Sequence, residues 1–256
     1  MSVRTFDYSG ITQVVIDNLG DGSILVEGGI DGDAVEGSIE AGDSLLADVQ
    51  IRQARDSLRI SLPQGIWRGS TVDLRLRVPE DLTFVIKTGG ADVSFGVAIA
   101  RSKIVTGSGH ININRAADLD CSTGSGNVHV SELVGHGARL STGSGHLAIG
   151  AASCPISAKS GSGHIDITSL NRADLQASSG SGEVSVNSTT GSVDIRSASG
   201  EVSVGVADRL ATWLDLSSVS GRVAIGLEAI NQPEPGEPYI SVRARTASGD
   251  IGVYRA

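Results

Sequence analysis

The chain has 256 residues, a formal net charge of -9 and an aromatic content of 3%. The acidic balance argues against binding to nucleic acid, which requires a basic stripe, and against electrostatic docking on anionic lipid. No stretch approaches the roughly 20 apolar residues of a membrane span, and the start does not resemble a secretory signal, so we expect a cytoplasmic chain without direct membrane insertion.

Residues 1–83 predict irregular β-strands. Alternating apolar residues flank a polar turn at 18–22, which indicates an early coil, and residues 49–62 predict a hairpin. A further alternating segment at 72–78 ends at Pro79, which cannot donate to a strand ladder. We therefore expect residues 1–83 to form wider, irregular coils that cap the repeats that follow.

A four-residue phrase, Ser/Thr-x-Ser-Gly, recurs through residues 84–256. The closing position advances by 17 to 19 residues over six intervals and then by 21 and 28, and apolar residues lie two and four places after it. This period predicts an all-β, single-domain β-solenoid with two-strand coils of about 18 residues, continuous with the first part. The copies are Thr88–Ala91, which is degenerate, Thr106–Gly109, Thr123–Gly126, Thr142–Gly145, Ser160–Gly163, Ser179–Gly182, Ser197–Gly200, Ser218–Gly221 and Thr246–Gly249.

Each phrase begins with Ser or Thr. Counted along the alternating strand, this residue should point to the same side as the apolar residues, which face the core. That column should point inward at the corner, where the hydroxyls satisfy one another and the bent backbone. The closing glycine should supply either a positive φ or a close approach of two backbones. The alternative interpretation is a hydroxyl ladder that faces water and binds ice or sugar. The predicted structural turn residues include Thr106, Gly109, Thr123, Gly126, Thr142, Gly145, Ser160, Gly163, Ser179 and Gly182.

The residue just after each closing position should point to the opposite side from the inward apolar and hydroxyl residues. These residues should therefore form an outward polar column. Four of the five histidines fall on this face, where neighbouring coils are about 4.8 Å apart. Imidazoles at this spacing could chelate a divalent metal. The repeat alone also explains the column and no Cys or Glu completes a ligand set, so the sequence favours a solvated polar ladder without a cofactor. The metal candidates are His110, His129, His146, His164 and Asp166.

The cysteines and the chain end complete the sequence-based predictions. Cys121 lies in an inward column and Cys154 in a loop, at non-equivalent positions, so we expect reduced thiols and no disulfide. Only three residues follow Val253, which predicts an uncovered strand edge formed by Asp250, Ile251 and Val253. Because open edges pair with other strands, an end-to-end homodimer or a strand-adding protein partner is expected there.

The repeats resemble a known family. The sequence Thr-Gly-Ser-Gly-His-Ile-Asn-Ile at 106–113 and its later copies, the Asp17–Asn18 element before Gly22, and the Val78–Pro79 step are similar to the bacterial β-strand-repeat family of unknown function, called the putative adhesin or toastrack domain. Members are often joined to membrane segments and linked by gene context to envelope-stress signalling of the phage-shock type, as an assembly surface. The resemblance implies no catalytic residues. It also implies recruitment through another protein here, because this sequence has no membrane segment.

These observations predict a non-enzymatic scaffold or protein-interaction module whose partners include envelope-stress or regulatory proteins. The first alternative is an adhesin-like surface that binds a repetitive glycan along the His, Asn and Glu face, although that face offers no aromatic residue for stacking on sugar rings. The second is a polysaccharide lyase or hydrolase, suggested by Glu183 and Glu201 on neighbouring coils. The expected flat surface, without a cleft that excludes water, argues against catalysis.

Overall fold

The computed structural model describes residues 1–30, 32–62, 71–188, 190–208, 210–228 and 239–256. The predicted all-β class is confirmed, with one six-residue helix in the described part of the chain. Two compact units, Met1–Val130 and Ser131–Ala256, make up the chain. In each unit, successive two-strand coils stack into two ladders of mostly parallel strands. The division predicted after residue 83 stays a prediction.

The first unit builds its two ladders from eight strands. One ladder has the spatial order β6, β2, β8, β10 and the second half of β11. The other has the order β7, β3, β9 and the first half of β11. The elements are β1 (Ser2–Tyr8), β2 (Gln13–Leu19), β3 (Asp21–Glu27), β4 (Val35–Ala41), α1 (Asp43–Asp48), β5 (Gln50–Ala54), β6 (Ser57–Ser61), β7 (Thr71–Arg77), β8 (Thr83–Thr88), β9 (Asp92–Ile99), β10 (Ser102–Thr106) and β11 (Ile111–Thr123).

The first coil of the sequence is not the first coil of the stack. The predicted early coil is confirmed as β2–β3, but it lies between the coil β6–β7 and the coil β8–β9. The predicted hairpin is confirmed as the antiparallel pair β5–β6, and β4 pairs antiparallel with both β7 and β1. As a result Leu58, Ile60 and Leu74 of the coil β6–β7 are fully buried. This end of the unit is covered by strands that run against the ladder direction.

The second unit has the same two-ladder construction. One ladder has the spatial order β12 (second half), β14, β16, β18, β22, β20, and the other β13, β15, β17, β19, β23, β21. Strand β12 (Val128–Thr142) begins in the first unit and ends in the second. The others are β13 (Leu147–Ala152), β14 (Ile156–Ser160), β15 (Ile165–Leu170), β16 (Leu175–Ser179), β17 (Val184–Ser188), β18 (Gly191–Ser197), β19 (Val202–Val206), β20 (Ala211–Ser218), β21 (Val223–Gly226), β22 (Tyr239–Thr246) and β23 (Ile251–Arg255).

The predicted interaction edge at Asp250, Ile251 and Val253 is wrong. Strand β23 pairs with β19 on one side and β21 on the other, so Ile251 lies between Val202 and Val223. Ile251 and Val253 are each only 1% exposed. The reason lies in the last step of the repeat, which is 28 residues long. A connection of that length allows the chain to pass the coil β20–β21 and insert β22–β23 beneath it.

The closing glycines allow neighbouring corners to stack in close contact. A Cβ on Gly163 would lie 1.7 Å from the carbonyl oxygen of Gly145, and one on Gly182 would lie 2.0 Å from that of Gly163. Neither glycine has a positive φ. Of the two roles that the sequence allows, the structure therefore assigns the close approach of two backbones.

We predict that Gly163→Ala destabilises the chain by about 1–3 kcal/mol or more, because its Cβ overlaps a backbone oxygen that cannot move independently of its ladder. Chemical denaturation gives the free energy of unfolding. Gly252→Ala is the matched control, because a Cβ at that strand position meets nothing within 4 Å. Equal stabilities of the two variants would contradict the corner-stacking account.

Candidate functional site

The predicted hydroxyl column lies inside the corner. The Oγ1 atom of Thr106 accepts the N–H of Gly109 at 3.0 Å, and that of Thr142 accepts the N–H of Gly145 at 2.9 Å. Six of its members are buried, namely Thr106, Thr123, Thr142, Ser160, Ser179 and Thr246, so the column does not form a water-facing surface for ice or sugar. The six other full copies vary this pattern: Thr123–Gly126, Ser197–Gly200, Ser218–Gly221 and Thr246–Gly249 repeat the bond, the Ser179 hydroxyl donates to the Gly182 carbonyl, and the buried Ser160 hydroxyl has no hydrogen-bond partner among the described residues.

The outward column joins each coil to the next through a side-chain acceptor. In the first unit, Asp92 Oδ1 accepts the backbone N–H of His110 at 2.7 Å, and His110 Nδ1 accepts that of Asn127 at 3.1 Å. In the second unit, His146 Nδ1 accepts the N–H of His164 at 3.3 Å. These side chains therefore satisfy backbone donors that the turn would otherwise leave to water.

The histidines of the second unit form a stacked pair. The rings of His146 and His164 lie 4.9 Å apart, centroid to centroid, at an interplanar angle of 5°. His164 Nδ1 in turn accepts the backbone N–H of Glu183 at 3.1 Å. The column thus continues from imidazole to carboxylate along the same ladder.

This hydrogen bonding conflicts with metal ligation by the same imidazoles. A neutral imidazole has one lone pair and one N–H, so a ring that accepts at Nδ1 carries its proton on Nε2. Ligation through Nε2 would move that proton to Nδ1, opposite the backbone donor. The remaining candidates are divided between the units, His129 in the first and Asp166 in the second. Within the described residues, no group of three or more His, Cys, Asp and Glu is placed to hold a metal ion.

Both cysteines are buried thiols outside any disulfide. Burial, with a smaller contribution from the charge of Asp120, raises the pKa of Cys121 to about 12. Cys121 therefore remains a protonated thiol at neutral pH. A protonated, buried thiol is neither a nucleophile nor a metal ligand.

The terminal coil β20–β21 is the surface that the sequence did not predict. Val223 and Ile225 have the inward parity of Ile251 and Val253, yet they are 43% and 55% exposed. In the described part of the chain, β20 pairs only with β22, and β21 pairs only with β23. Each therefore has one open edge, and β21, with the sequence Val-Ala-Ile-Gly, carries no charge.

One sequence signal could have identified this coil. The second position of the phrase is Gly or Ala in the other full copies, but it is Val219 in the phrase 218–221, and its side chain is exposed. That substitution and the long step after Gly221 both mark the coil as atypical. Atypical terminal repeats are a general property of stacked-repeat proteins.

The sequence matches the model of the Toastrack DUF4097 family over residues 48–254. The chain belongs to this family. The matched range begins at the end of α1 and reaches β23, so it includes the terminal coil β20–β21. No curated protein matches the chain.

Solved structures with the same fold come from Parabacteroides and Bacteroides species. A Parabacteroides merdae protein named a putative adhesin has a TM-score of 0.59 at 13% identity. The alignment covers 98% of this chain and 95% of that protein. A Parabacteroides distasonis protein named a putative lipid binding protein has a TM-score of 0.58 at 16% identity, with coverages of 98% and 96%. A Bacteroides fragilis putative adhesin has a TM-score of 0.50 at 15% identity, with coverages of 98% and 97%.

At these identities the likeness shows the fold alone. Membership of the Toastrack family is therefore the finding from which a role can be proposed. None of the described helical residues forms a segment long and apolar enough to cross a membrane.

We predict that zinc does not raise the melting temperature of the metal-free chain. The Nδ1 atoms of His110, His146 and His164 already accept backbone N–H groups, and zinc ligation would disrupt these bonds. Differential scanning fluorimetry with and without zinc gives this shift. The double variant His146→Ala, His164→Ala is the control. A zinc-dependent rise in the wild type that disappears in the variant would contradict the prediction.

Proposed function

We propose that this Toastrack chain is a non-enzymatic scaffold that docks protein partners on its terminal coil β20–β21. The exposure of Val223 and Ile225 carries the proposal. Residues of the same parity in the neighbouring β23 are buried, so the open side of β20–β21 lacks the covering layer that an interior coil receives.

The contrast between the ends of the two units supports docking. In the first unit, antiparallel strands β4 and β5 cover the coil β6–β7, and its inward residues are fully buried. Charged side chains protect many edges from pairing, and β5 carries Arg52 in its centre. Strand β21 has no such charge, and its edge therefore favours the addition of a partner strand.

The side-chain chemistry is consistent with a non-enzymatic role. The imidazoles of His146 and His164 accept backbone donors through Nδ1, and Cys121 is a buried, protonated thiol. Glu183 and Glu201, which the sequence offers as a carboxylate pair, follow the closing glycines of adjacent coils in the outward column. The two imidazoles therefore connect neighbouring coils.

Envelope-stress or other regulatory proteins in the cytoplasm are the proposed partners, following the gene context of the family that this chain resembles. The open end would then act as the assembly surface. A second copy of the chain is the other protein that this edge can accept, which would give an end-to-end homodimer.

The test compares partner capture by the wild type and by a double variant, Val223→Lys, Ile225→Lys. We expect capture to fall at least about tenfold, because lysine on an edge strand opposes strand addition. Both positions are exposed, so the folded state should lose little stability. Cross-linking with mass spectrometry identifies the partners and the contacted strands, and light scattering reports self-association.

Val3→Lys, on exposed β1 of the first unit, is the matched control and should leave capture unchanged. Equal capture by wild type and double variant, or cross-links confined to other strands, would overturn the proposal.

A further inference from the structure

Two large aromatic side chains are exposed on neighbouring strands of the second unit. Trp213 on β20 and Tyr239 on β22 are each 52% exposed and point away from the core. Tyr239 pairs with Ala211 and Trp213 pairs with Ser241, so the two rings are offset by two residues. The strand rise and spacing place their Cα atoms roughly 8 Å apart. Two aromatic rings therefore share one sheet face.

Arginine side chains lie beside this aromatic pair. Arg243 Nε donates to Asp215 Oδ2 at 2.9 Å, and Arg245 Nη2 donates to the same oxygen at 3.2 Å. Each guanidinium has five N–H donors, so most donors of both arginines remain available to a ligand. Asp194 pairs with Arg243, and Arg196 with Arg245, across the β18–β22 ladder, so the outward face of β18, β22 and β20 carries three arginines and two aspartates, a net charge of +1 on a chain of net charge -9.

An open groove of about 630 Å³ lies along the connections that precede β14, β16, β18 and β20. The first pair of the β18–β22 ladder is Gly191 with Ile240, so Thr190 and Tyr239 are the residues just before that pair. Thr190 lines the groove. Leu210, which also lines the groove, directly precedes β20. By this register the groove lies towards the Tyr239 end of the aromatic row, although neither aromatic side chain lines it. Its lining residues are Ser153, Asn171, Arg172, Thr190, Ala207 and Leu210.

We propose that this saccharide strip, defined as the groove together with Tyr239, Trp213, Arg243 and Arg245, binds an acidic polysaccharide. The faces of Trp213 and Tyr239 stack on sugar rings, since aromatic rings present a large rigid apolar surface. The guanidinium groups of Arg243, Arg245 and Arg172 bind carboxylates on the sugars, for which their planar geometry is suited. The net positive charge selects an acidic chain over a neutral one.

The geometry of the strip fits a saccharide better than a protein. Strand β22 pairs with β18 and β20, so recognition on this face relies on side chains rather than on a free strand edge. A stable protein interface buries about 800 Å² on each partner around an apolar core. Here two rings are set among arginines, aspartates and serines, which suits a narrow ligand with alternating apolar faces and polar edges.

This site shares strand β20 with the docking surface, because Trp213 lies on that strand, but the two use different side chains. Docking on β20–β21 uses the open edges and the inward Val223 and Ile225, whereas the saccharide strip uses outward side chains. It also differs from the His, Asn and Glu face, which belongs to the other ladder.

Isothermal titration calorimetry of the full chain with a hexamer of galacturonic acid tests the proposal. We expect binding that weakens with added salt, and a loss of at least about tenfold in affinity for Trp213→Ala and for Tyr239→Ala, as for the loss of a stacked ring. Arg243→Ala should weaken binding and reduce its salt dependence.

Tyr254→Ala is the matched control, because Tyr254 is 40% exposed on β23 in the other ladder and should not affect the sugar. The variant Val223→Lys, Ile225→Lys should also bind the hexamer normally, so failure of docking and failure of this proposal are distinguishable. Melting temperatures verify that each variant is folded.

Three results would overturn the proposal. The first is no binding of the hexamer by the wild type, and the second is unchanged affinity in both aromatic variants. The third is equal or tighter binding of a neutral galactose hexamer, which would contradict selection by charge. Loss of protein capture in Trp213→Ala, without an effect on sugar, would assign the strip to a protein partner instead.

Discussion

The carbonyl oxygen of one closing glycine occupies the space in which a side chain on the next closing glycine would begin. At Gly163 the distance from an added Cβ to the Gly145 oxygen would be only 1.7 Å, and at Gly249 the corresponding distance to Gly200 would be 2.0 Å. Only glycine fits this spacing. Close stacking of the corners fixes the register of both ladders, and the side-chain columns follow from that register.

Two columns follow directly from the stacked corners. On the inside, a hydroxyl accepts the N–H of the closing glycine, as Thr106 does for Gly109, so the bent backbone is satisfied without water. On the outside, His110, His146 and His164 accept backbone N–H groups of the following coil. The histidine column thus has a structural explanation in each unit.

The sequence predicts what a local period determines. The all-β class, the two-strand coils, the hairpin β5–β6 and the coil β2–β3 follow from alternation and turn residues within a few positions. Spatial order is different, because it depends on which coil the chain returns to after a long connection. The alternation of apolar residues places Ile251 inward. It does not show that Val223 belongs to the terminal coil and Ile251 to the coil before it. Parity also places Trp213 and Tyr239 outward, but their position on neighbouring strands depends on that same order and lies outside the reach of the repeat pattern.

The inserted position of β22–β23 leaves β20–β21 as the terminal coil, and the proposed docking surface depends on it. Residue-resolved amide hydrogen exchange tests this order most directly, because protection reports local opening and burial. The account predicts slow exchange in β23, comparable with β19, and the fastest strand exchange of the second unit in β21. Slow exchange in β21 together with fast exchange in β23 would restore the sequence order of the coils and contradict the account.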